Sequence, residues 1–290
     1  MGTRSLPSRS PRTVVGQGLR RMLAAPLDTL EDLGRQLSFY GRAIAWTWRV
    51  GLRYKREVLR LLAEVSFGTG GLAVIGGTVV IVAFMTFFTG TEVGLQGYNA
   101  LNQIGTAAYT GFISAYFNTR EIAPLVAAVA LSATVGCGFT AQLGAMRISD
   151  EIDALEVMAI PSVPFLVTTR MIAGFLAVIP LYVIGLLASY LSTRVIVTYF
   201  FEQSPGTYDH YFNLFLPEQD VIASFVKVLI FSVIVVLVHC YYGFHASGGP
   251  AGVGVAVGRA VRAVLVLVNI TDLLLSMALW GANATIRIAG

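Results

Sequence analysis

Five long apolar stretches, four of them without charge, constrain this chain more than any other feature. No Asp, Glu, Lys or Arg occurs in Val65–Gly90, Ile122–Met146, Met171–Thr193 or Val228–Gly258, and Ala263–Ile286 is interrupted only by Asp272. Each approaches or exceeds the roughly 20 apolar residues that a helix needs to cross a hydrocarbon core about 30 Å thick. In lipid a backbone must satisfy its own hydrogen bonds, so the runs should be helical. They predict an all-α membrane protein whose crossings lie near Val65–Thr89, Ile122–Met146, Phe165–Val197 and Val221–Tyr242, with a fifth from about Arg259. Pro180 falls within the third and should kink it. Residues 90–119, polar yet uncharged after Glu92, read as a bent extension of the first crossing plus a return segment.

Charge is asymmetric. Of 20 Lys and Arg residues, 12 lie in residues 1–64, and Tyr199–Asp220 holds four acids with no Lys or Arg. The positive-inside rule places the N-terminus in the cytoplasm, and five crossings then put the C-terminus outside. Residues 65–290 carry eight basic against eleven acidic side chains, which argues against nucleic-acid binding and for membrane-surface attraction of the N-terminal part. Residues 1–18 lack the apolar core of a signal peptide and read as a disordered cytoplasmic tail. Over 19–63, Leu23, Leu27, Leu30, Leu37, Ile44, Trp48 and Leu52 recur near helical spacing, opposite Arg20, Arg35, Arg42, Arg49, Arg53, Lys55, Arg56 and Arg60. One or two amphipathic helices lying in the membrane interface fit this pattern, and a helix packed on a partner protein is the alternative.

Between the second and third runs stands Arg147-Ile-Ser-Asp-Glu-Ile-Asp-Ala-Leu-Glu-Val-Met-Ala-Ile-Pro161. Ser149 is a candidate N-cap, and Asp150, Glu151 and Asp153 would favour the positive end of a helix dipole. Ile148, Ile152, Leu155 and Ala159 would share one face, with Glu156 beside them and Pro161 as the stop. A short helix with an acidic face could dock in a groove on a cytoplasmic partner; an ordinary solvated loop helix is the equal alternative. In the second run, Ser132, Gly136, Thr140 and Gly144 recur every four residues, a small-residue stripe for close helix packing. Arg120, Glu121 and Asp272 are ionisable groups in apolar context, candidates for a cavity or a subunit contact, since such groups are costly in lipid unless paired. Asp272 is equally explained by a structural bond to Asn269. His239 and His245 read as interfacial packing rather than a metal or proton relay, and Cys137 and Cys240 as small buried residues. No metal site is expected. No phosphate loop of the form G-x-x-x-x-G-K-[ST] occurs, so ATP-driven work would need a partner.

Arg120-Glu-Ile-Ala-Pro124, then Gly136 to Gln142-Leu-Gly-Ala-Met146, then Asp150-Glu-Ile-Asp-Ala-Leu155 resemble the signature of the MlaE/YrbE family. Gly94-Leu-Gln-Gly-Tyr98 and Gly252-Val-Gly254 leading to Arg259-Ala-Val-Arg262 agree with it, and the likeness covers roughly residues 50–288. Members of that family are permease subunits of lipid-transporting ABC systems that work with MCE proteins. The Arg/Ser/Pro-rich N-terminal extension and the Gly-rich turn are most similar to actinobacterial YrbE subunits of Mce systems. The resemblance implies an interfacial helix and a five-helix permease domain over 64–290, in the inner (plasma) membrane. It makes the segment at about 148–160 the coupling helix, with Ile148, Asp150, Glu151, Ile152, Asp153, Leu155 and Glu156 contacting a separate ATPase. Two permease subunits would pair over two such ATPases, which use the ATP and Mg, while this chain binds no cofactor. Arg120, Glu121, Ser132, Gly136, Thr140, Gly144 and Asp272 would then lie at the permease interface or along the lipid path. Import of a fatty acid, mycolic acid or sterol is the implied direction and class. Thr134 and Gln142 stand where the family often has Arg and Glu, which points to a heterodimer whose other half keeps, or differently uses, that pair. An ion-coupled secondary transporter and a non-transporting scaffold are the competing classes.

Overall fold

The structure is a computed structural model that describes residue 31 and residues 33–67 and 77–281; every element among them is helical, with no strand. The expected tail, the first part of the amphipathic region and the glycines at 68, 70, 71 and 76 lie outside the described residues.

The N-terminal region is three helical pieces rather than one or two: α1 (33–45), α2 (Thr47–Arg53) and α3 (Lys55–Phe67), interrupted at Trp46 and Tyr54. Phe39, Ala43 and Val50 bury against the bundle, while Leu37, Ile44, Trp48 and Leu52 stay exposed. The Thr168 hydroxyl donates to the Ala43 carbonyl at 3.0 Å, and the Phe39 ring packs on Tyr241, Phe244 and His245. An outward apolar stripe beside an arginine face suits an interfacial helix seated on the bundle.

Five helices are long and apolar enough to cross a membrane: α4 (Thr78–Gln103), α5 (Ala107–Ile148), α7 (Val163–Phe200), α9 (Glu218–Phe244) and α10 (Gly249–Trp280). Two short helices lie between them, α6 (Glu151–Val157) and α8 (Pro205–Leu214). The number agrees with the hydropathy reading, but three boundaries move. The first span starts at Thr78 and not near Val65, because Val65 belongs to α3. The stretch 90–119 divides as an extension and a return: α4 continues to Gln103, the chain reverses around Gly105, and α5 begins at Ala107. The fifth span begins at Gly249, ten residues before Arg259, so the glycine-rich segment is mostly first helical turns rather than a loop. Pro250, at the start of α10, has a fixed backbone angle suited to that position.

Glycine explains why α4 outlasts its apolar run. Gly90, Gly94 and Gly97 are buried, and the Gly90 carbonyl accepts a hydrogen bond from Thr193 at 2.7 Å. A Cβ at Gly90 would lie 2.5 Å from the Ser189 carbonyl oxygen of α7. Close backbone approach, rather than side-chain hydrophobicity, holds this half of the helix. The core itself is aliphatic and lies where α5, α7 and α9 meet, around Leu131, Leu143, Val167, Leu181, Phe231 and Val235.

One residue after Thr193 on α7, Arg194 donates to both carboxylate oxygens of Asp209 at 2.8 Å and ties α8 down. That guanidinium holds the Asp209 carboxyl below its ordinary range. A depressed carboxyl contributes stability above its unfolded value that is lost as pH falls through the folded one. The contribution should therefore disappear on acidification below about pH 4. Gly90→Ala should lower stability by about 1–3 kcal/mol through overpacking, read as a fall in melting temperature in detergent. Gly138→Ala, whose Cβ would meet open space, should show no such fall.

Candidate functional site

Two sites stand near opposite ends of α5. The first is α6. Ser149 does not cap it: its hydroxyl donates back to the Ala145 carbonyl at 2.9 Å, with the Glu151 carboxylate 3.0 Å away as the alternative acceptor. Serine at the end of a long helix satisfies that helix's last carbonyls, and Asp150 takes the N-cap position in the left-handed region, φ 58°. The helix ends at Val157, where Ala159 turns left-handed two residues before Pro161. These two reversals break the expected apolar face. Ile152 is 1% exposed and Leu155 packs against the core, but Ile148 and Ala159 are exposed.

The acids of α6 are pinned from both flanks. Asp153 pairs with Arg147 at 2.6 Å, and Glu156 accepts from Ser162 at 2.6 Å. Asp150, Glu151, Asp153 and Glu156 all remain at the surface beside Val157, 88% exposed, and Met158. The arrangement is a small acidic knob with an apolar tip, anchored by Ile152 and by the ends of α5 and α7.

The second site is buried charge among α5, α9 and α10. Residues 114–122 of α5 wind as a wider π-helical turn, which carries Arg120 and Glu121. Arg120, 2% exposed, donates from Nε at 2.8 Å to Asp220 of α9 and lies 2.6 Å away through Nη2. The Trp280 indole donates to the other Asp220 oxygen at 2.8 Å. The guanidinium sits over the Tyr116 ring at 4.1 Å and the Trp280 ring at 5.2 Å. Beside it Lys227 of α9, wholly buried, contacts Glu121 at 3.0 Å and Asp272 of α10 at 2.7 Å. Ser276 donates to Glu121 at 2.8 Å. Asn269 does not partner Asp272; its amide donates to the Leu265 carbonyl.

Arg120, Glu121 and Asp272 thus come together within one chain. The stripe Ser132, Gly136, Thr140 and Gly144 lies elsewhere on α5 and packs inside the same chain. His239 of α9 inserts between Ser132 and Thr140, at 2.9 and 2.8 Å, and its ring fills the space that a Cβ on Gly136 would need. Gly144 faces Val253 and Ala246. Sequence reasoning missed Lys227, Asp220, Ser276 and Trp280. A signal existed for the lysine: it stands directly before the apolar run Val228–Gly258, in register with Asp220 one heptad earlier. Gln142 is a third polar bridge, donating to Glu64 at 2.7 Å and accepting from Arg170 at 3.2 Å. No cluster of three or more metal-ligating side chains occurs among the described residues.

The profile of the family described as Permease MlaE matches residues 69–278, a range that contains α6 and every residue of the buried charge cluster except Trp280. The chain belongs to this permease family. A probable ABC transporter permease of Rickettsia bellii is 28% identical over 196 residues, 68% of this chain and 76% of that protein. One from Synechocystis is 29% identical over 203 residues, covering 70% and 77%. The Arabidopsis chloroplast protein TRIGALACTOSYLDIACYLGLYCEROL 1 is 26% identical over 196 residues, covering 65% and 54%. The MlaE-family chain is accordingly a multi-pass ABC transporter permease, a transport subunit that is not itself catalytic, and membership implies an ATPase partner.

Breaking one side of the buried pair in this permease should be severe. Arg120→Leu leaves Asp220 charged and buried, and should cost about 3–5 kcal/mol. Arg120→Leu with Asp220→Leu should recover most of that loss, since an apolar pair of similar volume replaces the ions. Melting temperatures of the purified single and double variants check this.

Proposed function

We propose that this chain is the membrane-spanning half of an ATP-driven lipid transporter and that α6 is where the ATPase engages it. The observation that carries the reading is the acidic knob. Four surface carboxylates and an apolar tip are mounted on a helix whose inner face is buried and whose two ends continue into spanning helices. A push on such a helix moves the bundle, whereas a push on a flexible loop would not. Charge complementarity would favour a groove lined by basic residues on the partner.

The proposed orientation puts α6 in the cytoplasm. α1 meets the end of α9 through Phe39 and Phe244, and Tyr54 meets Phe165 at the start of α7, so α1–α3 and α6 share one end of the bundle. That end also holds the excess of arginine, which the positive-inside rule assigns to the cytoplasm. Five spans then carry the C-terminal end of α10 to the outer side, together with α8 and the α4–α5 reversal, of the inner (plasma) membrane.

Lipid as substrate is supported by the family and by the Arabidopsis relative, which is named after a galactolipid. The finer reading extends the resemblance to YrbE subunits of actinobacterial Mce systems. It comprises a second permease chain of different sequence, two ATPases using ATP and Mg, MCE proteins at the outer face, and import of a fatty acid, mycolic acid or sterol. Arg120, Glu121 and Asp272 bear on that pathway through the bundle they hold rather than as an exposed lining.

Charge reversal at Asp150, Glu151 and Asp153 together should reduce recovery of the ATPase with the purified permease at least tenfold and abolish lipid-stimulated ATP hydrolysis. The melting temperature of the permease alone should hardly change, because these carboxylates lie at the surface. Undiminished copurification would remove α6 from the coupling role. Transport driven by an ion gradient without ATP would overturn the ATP-driven reading as a whole.

A further inference from the structure

The hydrogen count around Lys227 does not close. Its ammonium group has three N–H donors. They are engaged by the Arg120 carbonyl oxygen at 2.7 Å, Glu121 Oε2 at 3.0 Å and Ser276 Oγ at 2.8 Å. The single hydroxyl hydrogen of Ser276 goes to Glu121 Oε1 at 2.8 Å. Asp272 Oδ1 is a fourth oxygen against the same nitrogen, at 2.7 Å, and no hydrogen remains for it. It is buried and receives no hydrogen bond, in a residue 7% exposed.

The charge count agrees. The titratable side chains facing this point are Arg120, Glu121 and Tyr116 from α5, Asp220 and Lys227 from α9, and Asp272 from α10. From α7, Tyr190 reaches the hydroxyl of Thr119 next to Arg120. Arg120 and Asp220 neutralise each other, and the indole of Trp280 completes the aspartate's partners. Lys227 then faces two carboxylates, Asp272 with its side chain 10% exposed and Glu121 with its side chain 32% exposed, leaving one negative charge in excess within a part of the bundle that crosses the membrane. An uncompensated buried charge is among the most costly features a membrane protein can hold. One proton removes both discrepancies. A neutral carboxyl group needs no donor on its carbonyl oxygen, and that oxygen's dipole still favours the neighbouring ammonium.

We propose that Asp272 is a proton-binding site, occupied in this conformation at neutral pH, with Lys227, Glu121 and Ser276 as its positioning residues. The proton is taken from bulk water and returned to it when α10 moves away from Lys227 and water enters. No redox or covalent step is involved. The site goes beyond the ATP-coupled reading and does not depend on it.

Infrared spectroscopy of the full-length chain in lipid nanodiscs tests this directly. At pH 7 the spectrum should contain the carbonyl stretch of a neutral carboxyl group. The band should move when aspartate is labelled with carbon-13 at its carboxyl, shift in deuterium oxide, and vanish in Asp272→Asn. In Glu121→Gln the cluster is neutral without a bound proton, so the band should also be lost. Absence of the band in the wild type overturns the proposal. So does a band that ignores the aspartate label, which would place the proton on glutamate, or one that survives Asp272→Asn. If Asp272→Asn fails to fold, the labelled wild type and Glu121→Gln still decide. A labelled aspartate band unchanged in folded Glu121→Gln counts against the charge argument and overturns it.

Discussion

Two cations inside the bundle set the register of three spanning helices. Arg120 and Lys227 are almost fully removed from solvent, and their anionic partners sit on other helices: Asp220 on α9 for the arginine, Glu121 on α5 and Asp272 on α10 for the lysine. A charge in this setting cannot be left alone, so α5, α9 and α10 have to meet at one height and one rotation. α10 depends on this most. Its buried positions are Ala256, Ala260, Val264, Val268 and Asp272, four of them small or medium aliphatics. Apolar contact of that kind barely distinguishes one helix from surrounding lipid, whereas the Lys227–Asp272 contact and the Trp280–Asp220 bond do.

The same logic separates what could be read in the sequence from what could not. Hydropathy reports where side chains are apolar, and it predicted five spans because four stretches lack charge and a fifth holds only Asp272. It is silent about what holds a glycine-rich helix, so it left the end of α4 beyond Gly90 undefined and set the start of α10 near Arg259 rather than at Gly249. Motif reading located Arg120, Glu121 and Asp272 as ionisable groups out of place. Their partners escaped because counting charge-free runs discards the residue that ends a run, which is where Lys227 stands. The stripe of small residues was legible as a packing face, but not which helix it packs on. His239 decides that by filling the notch at Gly136. At α6 local capping rules failed because Ser149 belongs energetically to the helix that ends before it.

Thr134 and Gln142 acquire a physical context. Both line one cavity of about 440 Å³, together with Glu64 and Thr78. Gln142 stands between Glu64 and the buried Arg170, giving one hydrogen bond to the acid and taking one from the base. A glutamate at 142 would meet Arg170 as an ion pair but would also crowd Glu64. A glutamine transmits between the two without adding charge. The departure from the family pattern therefore comes with a local compensation inside this chain: opposite charges remain on either side of a neutral bridge. A missing pair at 134 and 142 does not by itself demand a partner chain to supply it.

α5 is the element that relates the two sites. It ends at Ile148 against α6 and carries Arg120 and Glu121 some 28 residues earlier, about 40 Å along a helix rising 1.5 Å per residue. Between them the helix is clamped to α9 by His239. Its winding is relaxed in two places, Ser114–Ile122 at the charge cluster and Ser132–Gly136 beside the clamp. Wide turns of this kind concentrate where a helix has to present side chains out of regular phase. Here the first brings Arg120 and Glu121 onto adjacent partners, so that consecutive residues serve Asp220 and Lys227 separately. Consecutive side chains of a regular α-helix point about 100° apart, and the wider turn narrows that angle. Arg120 and Glu121 so meet two residues of α9 one heptad apart, and Glu121 also takes the Ser276 hydrogen bond from α10.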